Sequence, residues 1–101
     1  MAGDLTTLKA SDFIPYLNQV MPIQFSHEAT LPAELIEAKE TETLANVERN
    51  PFHIIFRTEQ KDRYYQQGIY RILHPDKGEL DVFLVPLGPD AKGMLYEAVF
   101  S

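Results

Sequence analysis

Three histidines, His27, His53 and His74, are the residues of this sequence that could bind a metal ion. A zinc site needs three or four ligands that converge at about 2 Å, and two of them often come from a short local spacing. The three histidines are far apart in the chain and fall on different predicted elements. We therefore interpret them as separate surface or half-buried side chains, and we predict no metal site and no cofactor.

Two further pairs of residues have types suited to catalysis. Ser26 and His27 could act as nucleophile and base, but adjacent strand residues point to opposite faces and cannot form a hydrogen-bonded dyad. Glu79 and Asp81 share one face of a predicted strand, where paired carboxylates could share a proton or bind a hard cation. At a strand start beside a turn, such a pair more often forms a solvated face or protects an edge. We predict no catalytic residues and no enzymatic activity.

Composition excludes several classes of function. The 101 residues include nine basic and fifteen acidic side chains, a net charge of −6, and no cysteine. Nucleic-acid binding starts from a basic patch, and here the bases are scattered, so we expect neither nucleic acid nor a membrane as partner. The lack of cysteine removes thiol chemistry and disulfides. One domain over residues 1–101 is predicted from the length, and a cytoplasmic location from the absence of signal-peptide features.

Binding of a protein partner, or of further copies of the chain, is the class that we favour. Tyr64 and Tyr65 lie between two predicted strands, where aromatic side chains can anchor an interface, although one of them could fold back onto the core. The segment 34–48 has five Glu against one Lys, which could attract a basic partner or simply form a solubilising edge. The predicted contact residues are Tyr64, Tyr65, Glu37, Glu40 and Glu42.

Hydrophobic spacing predicts one helix near the N-terminus. Ser11 is a good N-cap, and apolar side chains recur at helical spacing from Phe13 onward. Because Pro22 would end such an element, we predict a helix over Ser11–Met21. Residues 33–40 have a composition compatible with helix but an alternation compatible with strand, and we favour the strand.

Alternating apolar and polar side chains predict strands over most of the remaining chain. An extended segment after the helix is expected to be interrupted at Pro32, and Thr41–Pro51 is expected to be a loop. Further strands are predicted over 52–57, 68–74, 79–87 and 94–100. The strand 79–87 is apolar on both faces, which indicates a central position or a cover by the helix.

Tight turns between these strands force antiparallel pairing, because parallel neighbours need a long crossover. We therefore predict a mainly β (α+β) fold, an antiparallel β-roll or small partly open barrel of about six strands with one N-terminal helix.

Several segments resemble a known family when they are taken together. They are DFIPYL near the start, PFHIIFR (51–57), QGIYR (67–71), LHP (73–75), LDVFLVPLGPD (80–90) and YEAVF (96–100). In this combination the chain resembles a bacterial family of short proteins classified as a domain of unknown function. The resemblance supplies no catalytic residues to transfer. It implies an accessory or assembly role, since some members are encoded near phage-tail-collar-like proteins.

The prediction is therefore a non-enzymatic protein-interaction or accessory module. The alternative is a small-ligand-binding β-barrel, or a minor enzyme built on one. A ligand binder should have a deep apolar pocket of ~300 Å³ or more with converging polar groups. An interaction module should instead have a filled interior and an exposed apolar patch.

Overall fold

The computed structural model describes residues 5–41 and 50–100. Six antiparallel strands close into a barrel in the order β1-β2-β3-β6-β5-β4. Their bounds are β1 Val20–Gln24, β2 Thr30–Glu40, β3 Phe52–Thr58, β4 Gly68–His74, β5 Gly78–Pro89 and β6 Met94–Phe100. The predicted fold class is confirmed, as are the strand over 33–40 and the bounds predicted for the strands 68–74 and 94–100.

The predicted helix over Ser11–Met21 is wrong in its extent. Helical structure near the N-terminus consists of 3₁₀ turns at Leu5–Thr7, Ala10–Asp12 and Ile14–Tyr16. Asn18 then adopts a left-handed φ of 68°, and its N–H donates to the Leu35 carbonyl over 2.7 Å. From Val20 the chain is a strand, so Pro22 lies within β1 and does not end a helix.

Within the described residues, no helix has the length and apolar character needed to cross a membrane.

Exposed and buried side chains alternate along β1, with a period of two residues. Met21 and Ile23 are fully buried, whereas Val20 and Pro22 are exposed. Pro22 lies directly opposite Pro32 on β2. The N–H of Leu35 donates to Gln19 and that of Phe25 to Ala29, so hydrogen bonds alternate along this register and the proline pair lies at a non-hydrogen-bonded position, where no N–H is needed. The predicted interruption at Pro32 is therefore wrong, and β2 is continuous.

Two long strands, β2 and β5, each bend around the barrel and pair with a different neighbour in each half. β2 pairs with β1 through residues 30–34 and with β3 through residues 34–40. β5 pairs with β4 through residues 78–84 and with β6 through residues 85–89. Each strand contains a register shift, which is the device that increases local twist and allows a small sheet to close.

Large side chains fill the barrel interior. Phe52 and Phe100 stack at one end, with ring centroids 4.5 Å apart, and Phe25 stacks on Tyr65 at 4.6 Å near the other end. The ring of Tyr96 is fully buried, and its centroid lies 5.1 Å from that of Phe25. The interior is therefore a packed hydrophobic core.

The hydroxyl group of the buried residue Tyr96 has two hydrogen-bond partners. It accepts the Tyr65 N–H at 2.9 Å and donates to the Gln60 Oε1 at 2.7 Å. Burial raises the pKa of Tyr96, so the phenol stays protonated and keeps its role as a donor. This network ties the β3–β4 loop to the core.

Residues 10–16, which we call the lid, cover one mouth of the barrel. Phe13 is fully buried, and its ring centroid lies 5.2 Å from that of His74. The His74 Nδ1 accepts the N–H groups of Asp76 and Lys77 at 3.0 and 3.1 Å. The proton is therefore on Nε2, which donates to the Asp12 carbonyl over 2.7 Å. His74 connects the lid to the β4–β5 turn.

The turn between β5 and β6 is organised by Asp90. The carboxylate accepts the N–H groups of Lys92 and Gly93 at 2.8 and 2.9 Å, and the Arg57 Nε at 2.9 Å. The bond from Lys92 is the main reason why the pKa of Asp90 lies below its usual value, and Arg57 adds to it. The charged carboxylate therefore stabilises the folded state.

We expect Asp90→Asn to lower the melting temperature at pH 7. A carboxyl group whose pKa is lowered by folding stabilises the folded state. This stabilisation is fully present above the unfolded-state pKa and is lost as the pH falls through the folded-state pKa. The difference between variant and wild type should therefore shrink below about pH 4. Thermal unfolding followed by circular dichroism between pH 7 and 3 measures it, and a difference independent of pH would contradict the role of the charge.

Candidate interaction surface

The three histidines lie on separate parts of the barrel. His27 is exposed in the β1–β2 turn, His53 pairs with Glu37 on the outer face, and both ring nitrogens of His74 are hydrogen-bonded at the lid. Across residues 5–41 and 50–100, no group of three His, Asp or Glu side chains is arranged to hold a metal ion.

The two candidate catalytic pairs also have structural roles. Ser26 and His27 lie in a turn and not on a strand, and the Ser26 Oγ accepts the N–H of Glu28 at 3.3 Å. Asp81 binds Arg71 through an Nε–Oδ1 contact of 2.9 Å, and Glu79 lies 3.6 Å from the same guanidinium. The hydrogen bond from Arg71 lowers the pKa of Asp81. These carboxylates are therefore both paired with the same cation.

An apolar row crosses the outer face of β4, β5 and β6. Ile69 on β4 lies directly opposite Phe83 on β5. Val99 is on the neighbouring strand β6, two residues beyond Glu97, which pairs with Val85 where the β5–β6 ladder ends. Ile69, Phe83 and Val99 are 69%, 51% and 67% exposed. Of the two alternatives predicted for β5, the central position agrees with its place between β4 and β6, and the cover by the helix is wrong within the described chain, because Phe83 faces solvent.

The apolar surface also continues along β5. Val85 is half-buried on the outer face, and Leu87, at the register shift between Pro86 and Gly88, is 48% exposed. Leu87 lines a surface groove of about 360 Å³ whose other walls include Tyr64, Pro86, Pro89 and Met94. We call the combined feature the β5 surface, and we define it by Ile69, Phe83, Val99, Val85, Leu87 and Tyr64.

The structure places the two predicted tyrosines in different environments. Tyr64 is 59% exposed and lines the groove at one end of the β5 surface. Tyr65 folds back onto the core, with its ring parallel to that of Phe25 within 6°. Tyr64 is therefore available for a contact, whereas Tyr65 is largely part of the core.

The predicted acidic contact residues lie on β2. Glu37 pairs with His53, and Glu40 accepts a hydrogen bond from the Asn50 side chain at 3.5 Å. Glu42 is outside the described residues, as is most of the predicted loop over Thr41–Pro51. In the six-stranded ring β2 is three strands away from β5, so Glu37 and Glu40 are not part of the β5 surface.

The class of protein defined here is a small closed antiparallel β-barrel with a packed interior and an apolar outer face. Residues 8–100 match the family described as Domain of unknown function (DUF6916), and the chain belongs to this family. No curated protein and no solved structure matches the chain.

Proposed function

We propose that this protein is a non-enzymatic protein-binding module and that the β5 surface is its binding site. The row of Ile69, Phe83 and Val99 carries the proposal, because three large apolar side chains exposed on three neighbouring strands are costly to leave in water. The packed interior supports it, since the alternative, a ligand-binding barrel, needs concave space lined by converging polar groups.

The family resemblance supports a finer proposal. It implies a bacterial accessory or assembly protein that acts beside a phage-tail-like protein, and we place this activity in the cytoplasm. Tyr64 fits such a role, because an exposed tyrosine at the rim of an apolar groove combines a large contact area with a hydroxyl group that can donate to a partner.

The test compares two valines with the same substitution. Val99→Glu puts a charge in the apolar row, whereas Val20→Glu puts it on β1, where the valine is 58% exposed and lies three strands from β6 in the ring. Light scattering of the chain mixed with the product of its neighbouring gene should detect a complex that Val99→Glu weakens at least about tenfold and Val20→Glu leaves unchanged. Tyr64→Ala should weaken it about fivefold, as removal of an aromatic contact does.

Two results would overturn the proposal. One is that light scattering of the mixture detects only the masses of the two separate proteins and that the chain alone does not self-associate. The other is a complex that Val99→Glu does not weaken although the variant remains folded. A small molecule bound inside the barrel would instead support the alternative of a ligand-binding protein.

A further inference from the structure

His74 is a titratable side chain buried at the joint between the lid and the barrel, where only 4% of it is exposed. Its ring makes three hydrogen bonds to the backbone. Nδ1 accepts the N–H groups of Asp76 and Lys77, and Nε2 donates to the Asp12 carbonyl. We call these three bonds the His74 latch. The latch joins the lid to the β4–β5 turn, two segments that are distant in sequence.

The latch requires the neutral imidazole. Nδ1 can accept two N–H groups only while its lone pair carries no proton. A second proton on the ring would point an N–H at the N–H groups of Asp76 and Lys77, whose nitrogens lie 3.0 and 3.1 Å away. A half-turn of the ring gives no relief, because it exchanges each ring nitrogen for a carbon. We propose that His74 is a proton-sensitive latch, which holds the lid while the ring is neutral and releases it when the ring gains a second proton.

Burial of the ring acts in the same direction as the hydrogen bonds. The rings of Phe13 and Tyr16 meet the imidazole nearly at right angles, with centroids 5.2 and 5.0 Å away, and they shield it from water. An imidazolium in this position would lose the hydration that stabilises it in an unfolded chain. The second proton is therefore bound more readily when the lid is open than when it is closed.

The carboxylates of the two joined segments have other partners. Asp12 lies 3.5 Å from the Lys77 ammonium, and Asp76 accepts a hydrogen bond from the Tyr16 hydroxyl group. The ring nitrogens of His74 are occupied by backbone atoms. Within the described residues, an imidazolium in the closed lid would therefore have no carboxylate as a direct partner.

The charges near the latch act on the ring only through space. The carboxylates of Asp12 and Asp76 attract an imidazolium, whereas the ammonium of Lys77, which is 45% exposed, repels it. Arg71 and Glu79 form an ion pair with each other on the outer face of β4 and β5. Exposed charges interact weakly through water, but backbone hydrogen bonds lost at a buried position are costly. The hydrogen bonds and the burial therefore decide, and the closed lid favours the neutral ring.

Acid is therefore expected to open the lid. A histidine in an unfolded chain gains its proton near pH 6.5. Below this pH the open form binds one proton more than the closed form, so the equilibrium constant for opening rises as the pH falls. For one histidine, the increase between pH 7 and pH 5.5 is about eightfold. Opening uncovers Phe13 and the Phe52–Phe100 stack, so the latch controls access to the apolar mouth of the barrel.

The first experiment observes the ring directly, by nuclear magnetic resonance of the wild-type chain with ¹⁵N-labelled histidine. The nitrogen shifts of His74 should show the neutral Nε2–H form at pH 7. In the closed protein they should show the same form at pH 5.5, where a histidine in an unfolded chain is roughly nine-tenths protonated. A His74 ring that is charged at pH 5.5 while the lid amides remain as protected as at pH 7 overturns the latch.

The second experiment measures lid opening by hydrogen exchange of the Phe13 and Tyr16 amides, which donate hydrogen bonds within the lid. Their protection factors should fall about eightfold from pH 7 to pH 5.5. His74→Asn should remove this dependence, because its side-chain oxygen can accept the N–H groups of the turn but does not take up a proton. His27→Asn, at an exposed turn position, is the matched control and should retain the dependence.

Two results of the exchange measurement would overturn the latch. One is a wild-type protein whose lid protection does not change between the two pH values. The other is a His74→Asn variant whose lid protection has the same pH dependence as the wild type. The wild-type measurements decide alone where His74→Asn does not fold. The protein-binding function is tested separately, because none of these measurements involves a partner.

Discussion

Replacing Gly93 by alanine is expected to lower the free energy of unfolding by about 3 kcal/mol or more. A Cβ atom on Gly93 would lie 1.7 Å from the carbonyl oxygen of Thr58 and 2.9 Å from its carbonyl carbon. These are backbone atoms of β3, and Thr58 pairs with Met94 on β6. Relief of the clash therefore requires separation of the two strands where their ladder begins. Urea unfolding followed by circular dichroism measures the loss.

Gly68 provides the matched control for Gly93. A Cβ at Gly68 would have its closest neighbour, the Tyr70 hydroxyl oxygen, at 3.5 Å, which is an ordinary contact. Gly68→Ala should therefore change the free energy of unfolding by less than about 1 kcal/mol. Equal stability of the two alanine variants would show that β3 and the residue before β6 are not as close as described.

Phe13→Ala is expected to destabilise the protein by about 3–5 kcal/mol, the usual cost of removing a fully buried phenylalanine. The ring of Phe13 lies over the mouth of the barrel, with centroids 6.1 Å from Phe52, 6.2 Å from Phe100 and 5.2 Å from His74. Its removal leaves a cavity beneath the lid and exposes the Phe52–Phe100 stack. Urea unfolding again gives the magnitude, and near-ultraviolet circular dichroism reports the aromatic packing.

The neighbouring residue Ile14 distinguishes loss of packing from loss of the lid's backbone structure. Ile14 is 47% exposed and belongs to the same lid as Phe13. Ile14→Ala should cost less than about 1 kcal/mol, because most surface substitutions have small effects. A cost similar to that of Phe13→Ala would contradict the described orientation of the lid.

Strand positions are predictable in this chain because inward side chains must be apolar to fill a barrel. The alternation of side chains around Ile72 on β4 and Tyr96 on β6 predicts the first and last residues of both strands correctly. The end of β5 was less predictable. Gly88 has a φ of +105°, a conformation that glycine tolerates, and it allows the strand to continue beyond the predicted end at Leu87 to Pro89.

The N-terminal helix was mispredicted because two buried residues matched a helical period by coincidence. Phe13 is buried beneath the lid and Met21 is buried on the inner face of β1, although they belong to different elements. The helical period of 3.6 residues and the strand period of two residues predict burial at some of the same positions of a short segment. Only the left-handed φ of Asn18 and its hydrogen bond to β2 separate the two cases, and neither is visible in the residue types.

The candidate site was only partly predictable. The turn from His74 to Gly78 implies a β4–β5 register in which Ile69 faces Phe83. Val99 joins this row because β6 lies between β3 and β5 in the barrel, and this order depends on the closure of the whole sheet rather than on any local pattern. The apolar outer face of β5 is visible in the sequence, where it indicates either a central position or a covering helix.

The barrel closes between β1 and β4 through two residue pairs, Ile23–Ile72 and Gln24–Arg71, whereas the β3–β6 ladder has seven. Thermal fluctuations that open the molecule should therefore begin at this junction, and the amides of β1 should be among the first strand amides to exchange with deuterated solvent. An opened barrel is a curved sheet with two unprotected edges, which is the form from which strand exchange and aggregation proceed. For this protein, the closing pairs thus protect solubility as well as shape.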